Sequence, residues 1–258
     1  MLNRSARAVS FGTAAEEYDR FRMGPSEQVL DWLLPPDCAA VLDLGAGTGL
    51  LTRQLAERVD DVLAVEPDAR MREVLAAGCP RATVLEGTAE NIPLPGARVG
   101  AVTVSAAWHW MDPVRALPEI ARVLQPGGTL AILWTRRDRR VPWVDALDSF
   151  VRDLVGAGDE VERQIRRMGT ERWLPDGVPF TEPESRVLTW TAPLTVDALV
   201  GMFATYSGFI AQPEERKREL AGLIDAQVHR TADIADGTVR MPMACHTWRL
   251  RLTEAAPR

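Results

Sequence analysis

Between Val41 and Leu51 the chain reads V-L-D-L-G-A-G-T-G-L-L, an apolar run that passes into three glycines on alternate positions. No other stretch constrains the fold as tightly. Val41, Leu42 and Leu44 suit a strand of a parallel sheet covered on both faces. Glycine lets the next turn take backbone angles closed to other residues, and lets a ligand come close to the main chain. The turn then enters a helix whose free N–H groups face that ligand. The spacing is G-x-G-x-G (Gly45, Gly47, Gly49), and Leu50 stands where a dinucleotide fingerprint would need its third glycine. Asp43 precedes the turn; a pyrophosphate would be poorly received there, and a cationic or amine-bearing ligand suits it better. The lysine and hydroxyl ending of an ATP-type P-loop is missing.

In D-L-G-A-G-T-G (Asp43–Gly49) the chain resembles motif I of the class I S-adenosylmethionine-dependent methyltransferases. The resemblance implies an α/β, Rossmann-like, doubly wound sheet of seven strands, mostly parallel with one antiparallel strand, and helical insertions forming a lid. It also implies S-adenosylmethionine as cofactor. Asp43 would lie near its amino-acid end, with the turn of Gly45, Ala46 and Gly47 passing beneath it.

Hydrophobic periodicity carries the organisation further. Helices are expected at 14–18 and 26–34 ahead of the glycine strand, then at 50–58, from Asp68 to about Ala77, and from Asp112 onward, where Pro118 should kink the helix or split off its first turn. Strands are expected at 61–65, 82–85, 99–105 and 129–134, with Gln125-Pro126-Gly127-Gly128 ending the helix before the last. Alternating strands and helices from 40 to 134 mean a parallel sheet with right-handed crossovers. Ligands of such sheets bind beyond the carboxyl ends of the strands. The glycine turn, Glu66, the segment 86–90 and Ser105–Trp110 all fall there. After about residue 138 the alternation fails: 143–168, 196–205 and 214–229 look helical, 186–191 alternates as a strand, and 239–252 holds a final strand or hairpin. One domain is expected, with residues 1–138 as the cofactor core and 139–258 supplying the remaining strands and a helical lid.

Glu66 ends the second strand, where a carboxylate can accept both hydroxyl hydrogens of a ribose. By the resemblance Glu66 binds the cofactor ribose and Pro67 and Met71 pack along the adenine. Gly87-Thr88-Ala89-Glu90 resembles a G-D-A-E segment that contacts adenine in this family. Thr88 replaces the usual acid, so a carboxylate contact is lost, while the N–H of Ala89 remains able to bond a ring nitrogen; Glu90 completes the segment. Phe11, Tyr18, Arg20 and Arg22 resemble an entry segment in which Tyr18 and Arg22 would meet the cofactor's carboxylate.

Ser105-Ala106-Ala107-Trp108-His109-Trp110 ends the central strand. With Q-P-G-G and Trp134-Thr135-Arg136-Arg137-Asp138 further on, it resembles the small-molecule, type 11-like branch of the family. The N-P-P-Y or D-P-P-Y tetrapeptide of many N-methylating enzymes is missing. Trp108, Trp110 and Trp134 would line an apolar or planar acceptor pocket, with Tyr206 near substrate from a lid helix. His109 is the candidate catalytic residue: a base if the acceptor is a hydroxyl, an orienting group if it is a carboxylate.

A net charge of −6 argues against a general nucleic-acid binder. The densest basic run, Arg136 to Arg140, reads as a solvated loop. Cys38, Cys79 and Cys245 lack metal-ligand spacing and read as thiols of a reducing compartment, so no metal and a cytoplasmic location are expected. No run is apolar and long enough for a signal peptide or a membrane span. The expected function is methyl transfer to a small-molecule acceptor, at oxygen. The competing readings are an RNA- or protein-modifying methyltransferase, and an S-adenosylmethionine-binding protein with another role.

Overall fold

A computed structural model describes residues 15–156, 160–170 and 173–253, so Phe11 lies outside the described residues. The chain divides into two compact units. The glycine-turn unit takes Gly24–Thr135, Val161–Leu188 and Cys245–Arg258; the helical unit takes Met1–Met23, Arg136–Glu160 and Thr189–Ala244.

Two short helices, α1 (Ala15–Phe21) and α2 (Glu27–Leu33), come first. Strands β1 (Ala40–Leu44), β2 (Asp61–Val65), β3 (Thr83–Leu85), β4 (Val99–Ser105) and β5 (Leu124–Arg137) then alternate with α3 (Leu50–Ala56), α4 (Ala69–Gly78) and α5 (Pro113–Val123). The later elements are α6 (Pro142–Val155), α7 (Glu160–Thr170), β6 (Glu184–Thr195), α8 (Val196–Ala204), α9 (Ser207–Ile210), α10 (Glu214–Thr231), β7 (Ile234–Ala235) and β8 (Thr238–Arg251). Seven strands form one path, β3-β2-β1-β4-β5-β8-β6, and the two-residue β7 pairs antiparallel with β8 off it. β1 pairs in parallel with β2 on one side and β4 on the other, and β2–β3 and β4–β5 are parallel too. The strand order therefore reverses at β1, which opens a crevice at the carboxyl ends of β1 and β4.

Every residue of β1 is buried, as its apolar run requires. Leu42, Leu44, Val102, Val104, Leu117, Ile120 and Ile132 join one core in the glycine-turn unit. In the helical unit Val144, Leu147, Val151, Leu199, Phe203, Leu220 and Ile224 form another.

Two expectations are corrected. Gln125–Gly128 does not separate helix from strand but bulges within β5: Val99 faces Leu124 and Ala101 faces Thr129, so two steps on β4 match five on β5. Gly127 takes φ 73 at this bulge. Pro118 does not split α5, which runs on from Asp112, whose side chain accepts the Val114 N–H; buried Ala116, Leu117, Ile120 and Val123 hold the helix together across the missing hydrogen bond. The segment 143–168, expected to be helical, carries α6 and α7.

Candidate functional site

The backbone of the turn after β1 favours glycine: Gly45, Gly47 and Gly49 have φ of 71, 59 and 89. Two of the three are also packed. A Cβ on Gly45 would stand 2.8 Å from Ala107 Cβ, and one on Gly49 2.9 Å from Leu75 Cγ. At Gly47 the nearest atom would be Met71 Sδ at 3.8 Å, so this glycine leaves room above the main chain. The N–H groups of Gly45 and Ala46 donate to the Val65 carbonyl and tie the turn to the end of β2.

Asp43, only 1% exposed, sits beneath this turn. Its carboxylate accepts from Thr52 Oγ1 at 2.7 Å and Thr103 Oγ1 at 3.4 Å. Both donors are neutral. Burial pushes the Asp43 pKa up to about 7 against the pull of those hydroxyls, and the Glu66 charge adds to the rise.

Glu66 is buried at the end of β2. Its Oε2 accepts from Gly47 N at 2.9 Å and its Oε1 from Asp68 N at 3.0 Å. One carboxylate thus clamps the glycine turn to the start of α4. Each oxygen keeps a further lone pair, enough to accept a hydroxyl. Burial raises the Glu66 pKa, with the Asp68 and Gly47 N–H groups opposing. Pro67 is exposed beside it, and Met71 is buried in the first turn of α4, which Asp68 caps. After β3, Thr88 is exposed and bridges to Asn91, Ala89 is buried in the core, and Glu90 Oε1 accepts from Asp112 N at 2.9 Å. Glu90 therefore fastens the segment 86–90 to the start of α5.

Ser105 ends β4, and the chain turns sharply at Ala106, whose φ of 53 is a strained value for alanine. Ala107 then presses on Gly45, and Trp108–Trp110 form a single 3-10 turn. His109 lies with its ring centre 4.5 Å from that of Trp110 and 6.5 Å from that of Trp134. Trp134 meets Trp248 edge-on at 5.7 Å, and Trp108 meets Trp173 edge-on at 5.7 Å. Trp173 and Trp248 come from the divergent half of the chain and carry no motif, so sequence reading missed them. Thr52, Thr103 and Met111, which packs against Gly45, lie within the motif-bearing half but were missed because their roles come from packing and not from a local pattern.

Trp108 and Trp134 are almost wholly buried, at 2% and 1% exposure. The Trp248 indole N–H donates to the Met168 carbonyl at 3.1 Å. Among the described residues the buried Nε1 atoms of Trp32, Trp134 and Trp173 have no hydrogen-bond partner, and the last two belong to this cluster. Each such unpaired donor costs about 1–3 kcal/mol.

Tyr18, Arg22 and Tyr206 belong to the helical unit. The Arg22 guanidinium carbon lies 5.1 Å from the Tyr18 ring centre and 5.5 Å from that of Tyr206, and its Nε donates to Thr205 Oγ1 at 2.8 Å. The basic run corrects the expectation of a solvated loop. Arg137 is buried, donates from Nε to Asp148 at 2.8 Å and from Nη2 to the Tyr206 hydroxyl, and stacks 4.2 Å from the Phe203 ring centre. Burial works against its charge, but the Asp148 carboxylate and Tyr206 outweigh that and raise its pKa.

These features of the glycine-turn unit fit S-adenosylmethionine. Two buried carboxylates, Asp43 and Glu66, stand at one glycine turn, held by hydroxyl and backbone donors. That set repels a pyrophosphate and suits a ligand with positive charge and ribose hydroxyls. The open side of Gly47 gives such a ligand access to the backbone.

Residues 42–132 match the model of a methyltransferase domain. An uncharacterized methyltransferase of Mycobacterium tuberculosis is 44% identical over 83% of this chain and 83% of its own. A malonyl-[acyl-carrier protein] O-methyltransferase of Pectobacterium atrosepticum is 36% identical over 50% of this chain and 53% of its own. Among solved structures, a candidate type II methyltransferase from Anaeromyxobacter dehalogenans superposes with a TM-score of 0.69 at 25% identity, covering 91% of this chain and all of that one.

Proposed function

The chain belongs to the class I S-adenosylmethionine-dependent methyltransferases, and on that premise we propose that it methylates a small acceptor at an oxygen, hydroxyl or carboxylate. S-adenosylmethionine supplies a methyl group on a sulfonium sulfur, which an acceptor lone pair takes as the carbon–sulfur bond breaks with its electron pair left on sulfur. The protein's task is to align the acceptor and keep water away. The observation that carries the reading is the ring cluster around His109, joined to the glycine turn through the Ala107–Gly45 contact. The O-methyltransferase likeness over half the chain supports oxygen.

In this proposal Glu66 receives the ribose with its remaining lone pairs, and Asp43 supplies negative charge under the amino end. The backbone of Gly45, Ala46 and Gly47 passes beneath the cofactor, with Ser105 at the neighbouring strand end. Pro67 and Met71 flank the adenine, whose edge meets Thr88 and Ala89, while Glu90 holds that segment. In the helical unit Tyr18 and Arg22 present a guanidinium suited to a carboxylate. Trp108, Trp110 and Trp134 select the acceptor, and His109 takes the proton of a hydroxyl or orients a carboxylate; Tyr206 is the candidate substrate-facing residue of the helical unit. Among the described residues no helix is long and apolar enough to cross a membrane. The scattered free cysteines support a cytoplasmic setting, and the acidic charge a small molecule over a nucleic acid.

The test incubates the protein with methyl-labelled S-adenosylmethionine and small-molecule extracts, then treats labelled products with mild alkali. Methyl esters release methanol, while methyl ethers and N-methyl groups survive. Label confined to alkali-stable amines, or to RNA or protein, would refute the oxygen reading. His109→Ala is expected to lower turnover about a hundredfold while S-adenosylhomocysteine still raises the melting temperature as in the parent.

A further inference from the structure

Trp134 ends the central run of β5, in register with the end of β4 (Ser105 beside Leu133), where ligands of a parallel sheet bind. Its ring is shared between two neighbours: His109 at 6.5 Å and Trp248, edge-on, at 5.7 Å. The side chain is 1% exposed, yet its Nε1 has no partner among the described residues. A second buried indole nitrogen, that of Trp173, is unpartnered against Trp108 in the same core. Trp248 shows what a satisfied indole looks like here, since its N–H finds the Met168 carbonyl. Native proteins rarely leave such donors unmet.

An indole nitrogen can only donate, so whatever satisfies Trp134 must be an acceptor. An ammonium group offers it nothing. The rings of His109 and Trp248 beside Trp134, with Trp110 against His109, supply flat surface that suits an equally flat body. We propose that Trp134 is the specificity-determining residue of the acceptor site, and that the acceptor is a planar aromatic or conjugated carboxylic acid. This rests on the proposed methyltransferase reading and narrows it from oxygen acceptors in general to carboxylates. An anionic acceptor also matches the positive sulfonium of the family's methyl donor, whereas a cationic one opposes it. The ring faces alone would equally suit a cation; the unmet donor of Trp134 is what decides between the two.

The experiment follows the indole N–H signals of the full-length protein by NMR, in saturating S-adenosylhomocysteine, with Trp134→Phe and Trp173→Phe assigning two of them. Benzoate, trans-cinnamate and cinnamylamine are titrated in turn. The expected result is saturable binding of at least one acid and a downfield shift of the Trp134 N–H signal. The acid should bind about tenfold more weakly to Trp134→Phe, the loss of one hydrogen bond to a charged acceptor. The thermal shift by S-adenosylhomocysteine, kept in Trp134→Phe, shows that the variant is folded. Failure of both acids to bind at millimolar concentration overturns the proposal. So does an unmoved Trp134 signal, unchanged acid affinity in Trp134→Phe, or cinnamylamine binding as tightly as cinnamate. If S-adenosylhomocysteine itself gives the parent protein no thermal shift, the methyl-donor site reading has failed, and that outcome is separate from the others.

Discussion

Asp43 of the glycine-turn unit and Asp148 of the helical unit are 1% and 2% exposed, and electrostatically they are opposites. Asp148 meets a buried arginine, with Arg137 Nη2 at 2.5 Å, so its charge is answered inside the protein. Asp43 is met by two hydroxyls, and Glu66 nearby by two backbone N–H groups. The first arrangement is complete and holds a core together. The second keeps negative charge in a buried place with neutral donors, a condition that a cationic ligand relieves. Burial alone does not separate structure from site; the partner does.

The largest effect that would break this comparison comes from the ion pair. Asp148→Ala leaves the Arg137 charge buried without its partner and is expected to cost about 3–5 kcal/mol by chemical denaturation. Arg137→Met combined with Asp148→Leu should recover most of that loss, because the desolvated charges then disappear together. An Asp148→Ala protein as stable as the parent would mean that the pair contributes nothing.

Asp43→Asn should act in the other direction. The folded pKa is raised to about 7, above the ordinary carboxylate value, so the folded state holds the proton more tightly than the unfolded chain. Stability from this group is therefore fully present below about pH 4 and falls as the pH rises through about 7. Removing the charge should stabilise the protein by about 4 kcal/mol at pH 8 and progressively less towards pH 5. The same change should weaken S-adenosylhomocysteine about tenfold, a loss of 1.4 kcal/mol. A variant with the parent's pH slope would place the titrating group elsewhere.

Glu66→Gln comes next. Its amide oxygen can accept only one of the two N–H groups that Glu66 now receives, and its NH2 would face the other. A loss of about 1–2 kcal/mol is expected, with a larger fall in cofactor-product affinity measured by calorimetry. The smallest effect pairs one glycine from each unit. Gly47 and Gly156 have φ of 59 and 61 and lateral space for a methyl group. Alanine at either should cost about 1 kcal/mol, but only Gly47→Ala should weaken S-adenosylhomocysteine, since its methyl group would occupy the open face of the turn.

Local chemistry made part of this legible. Strands 61–65 and 99–105 stand where the sequence places them, because short β-branched runs between turn residues leave few alternatives. Asp68 and Asp112 cap the helices that follow them, a short-range bond that the order of residues dictates. The roles of neighbouring arginines were not legible. Arg136 to Arg140 share one local pattern, yet Arg137 is buried and Arg140 remains mostly exposed on Asp138. The difference lies in Asp148, Phe203 and Tyr206, which other elements bring to Arg137.

The sequence by itself determined the glycine turn, the acids at the ends of β1 and β2, and the histidine after β4, because backbone angle, strand period and strand-end position are local properties. Tertiary structure decided what those acids are for. Thr52 and Thr103 reach Asp43 from α3 and β4, Glu66 reaches back across 19 positions to Gly47, and Trp173 and Trp248 come to the rings of Trp108 and Trp134 from remote segments. Hydrogen-bond partners and desolvation are properties of packing, and no period along the chain encodes them.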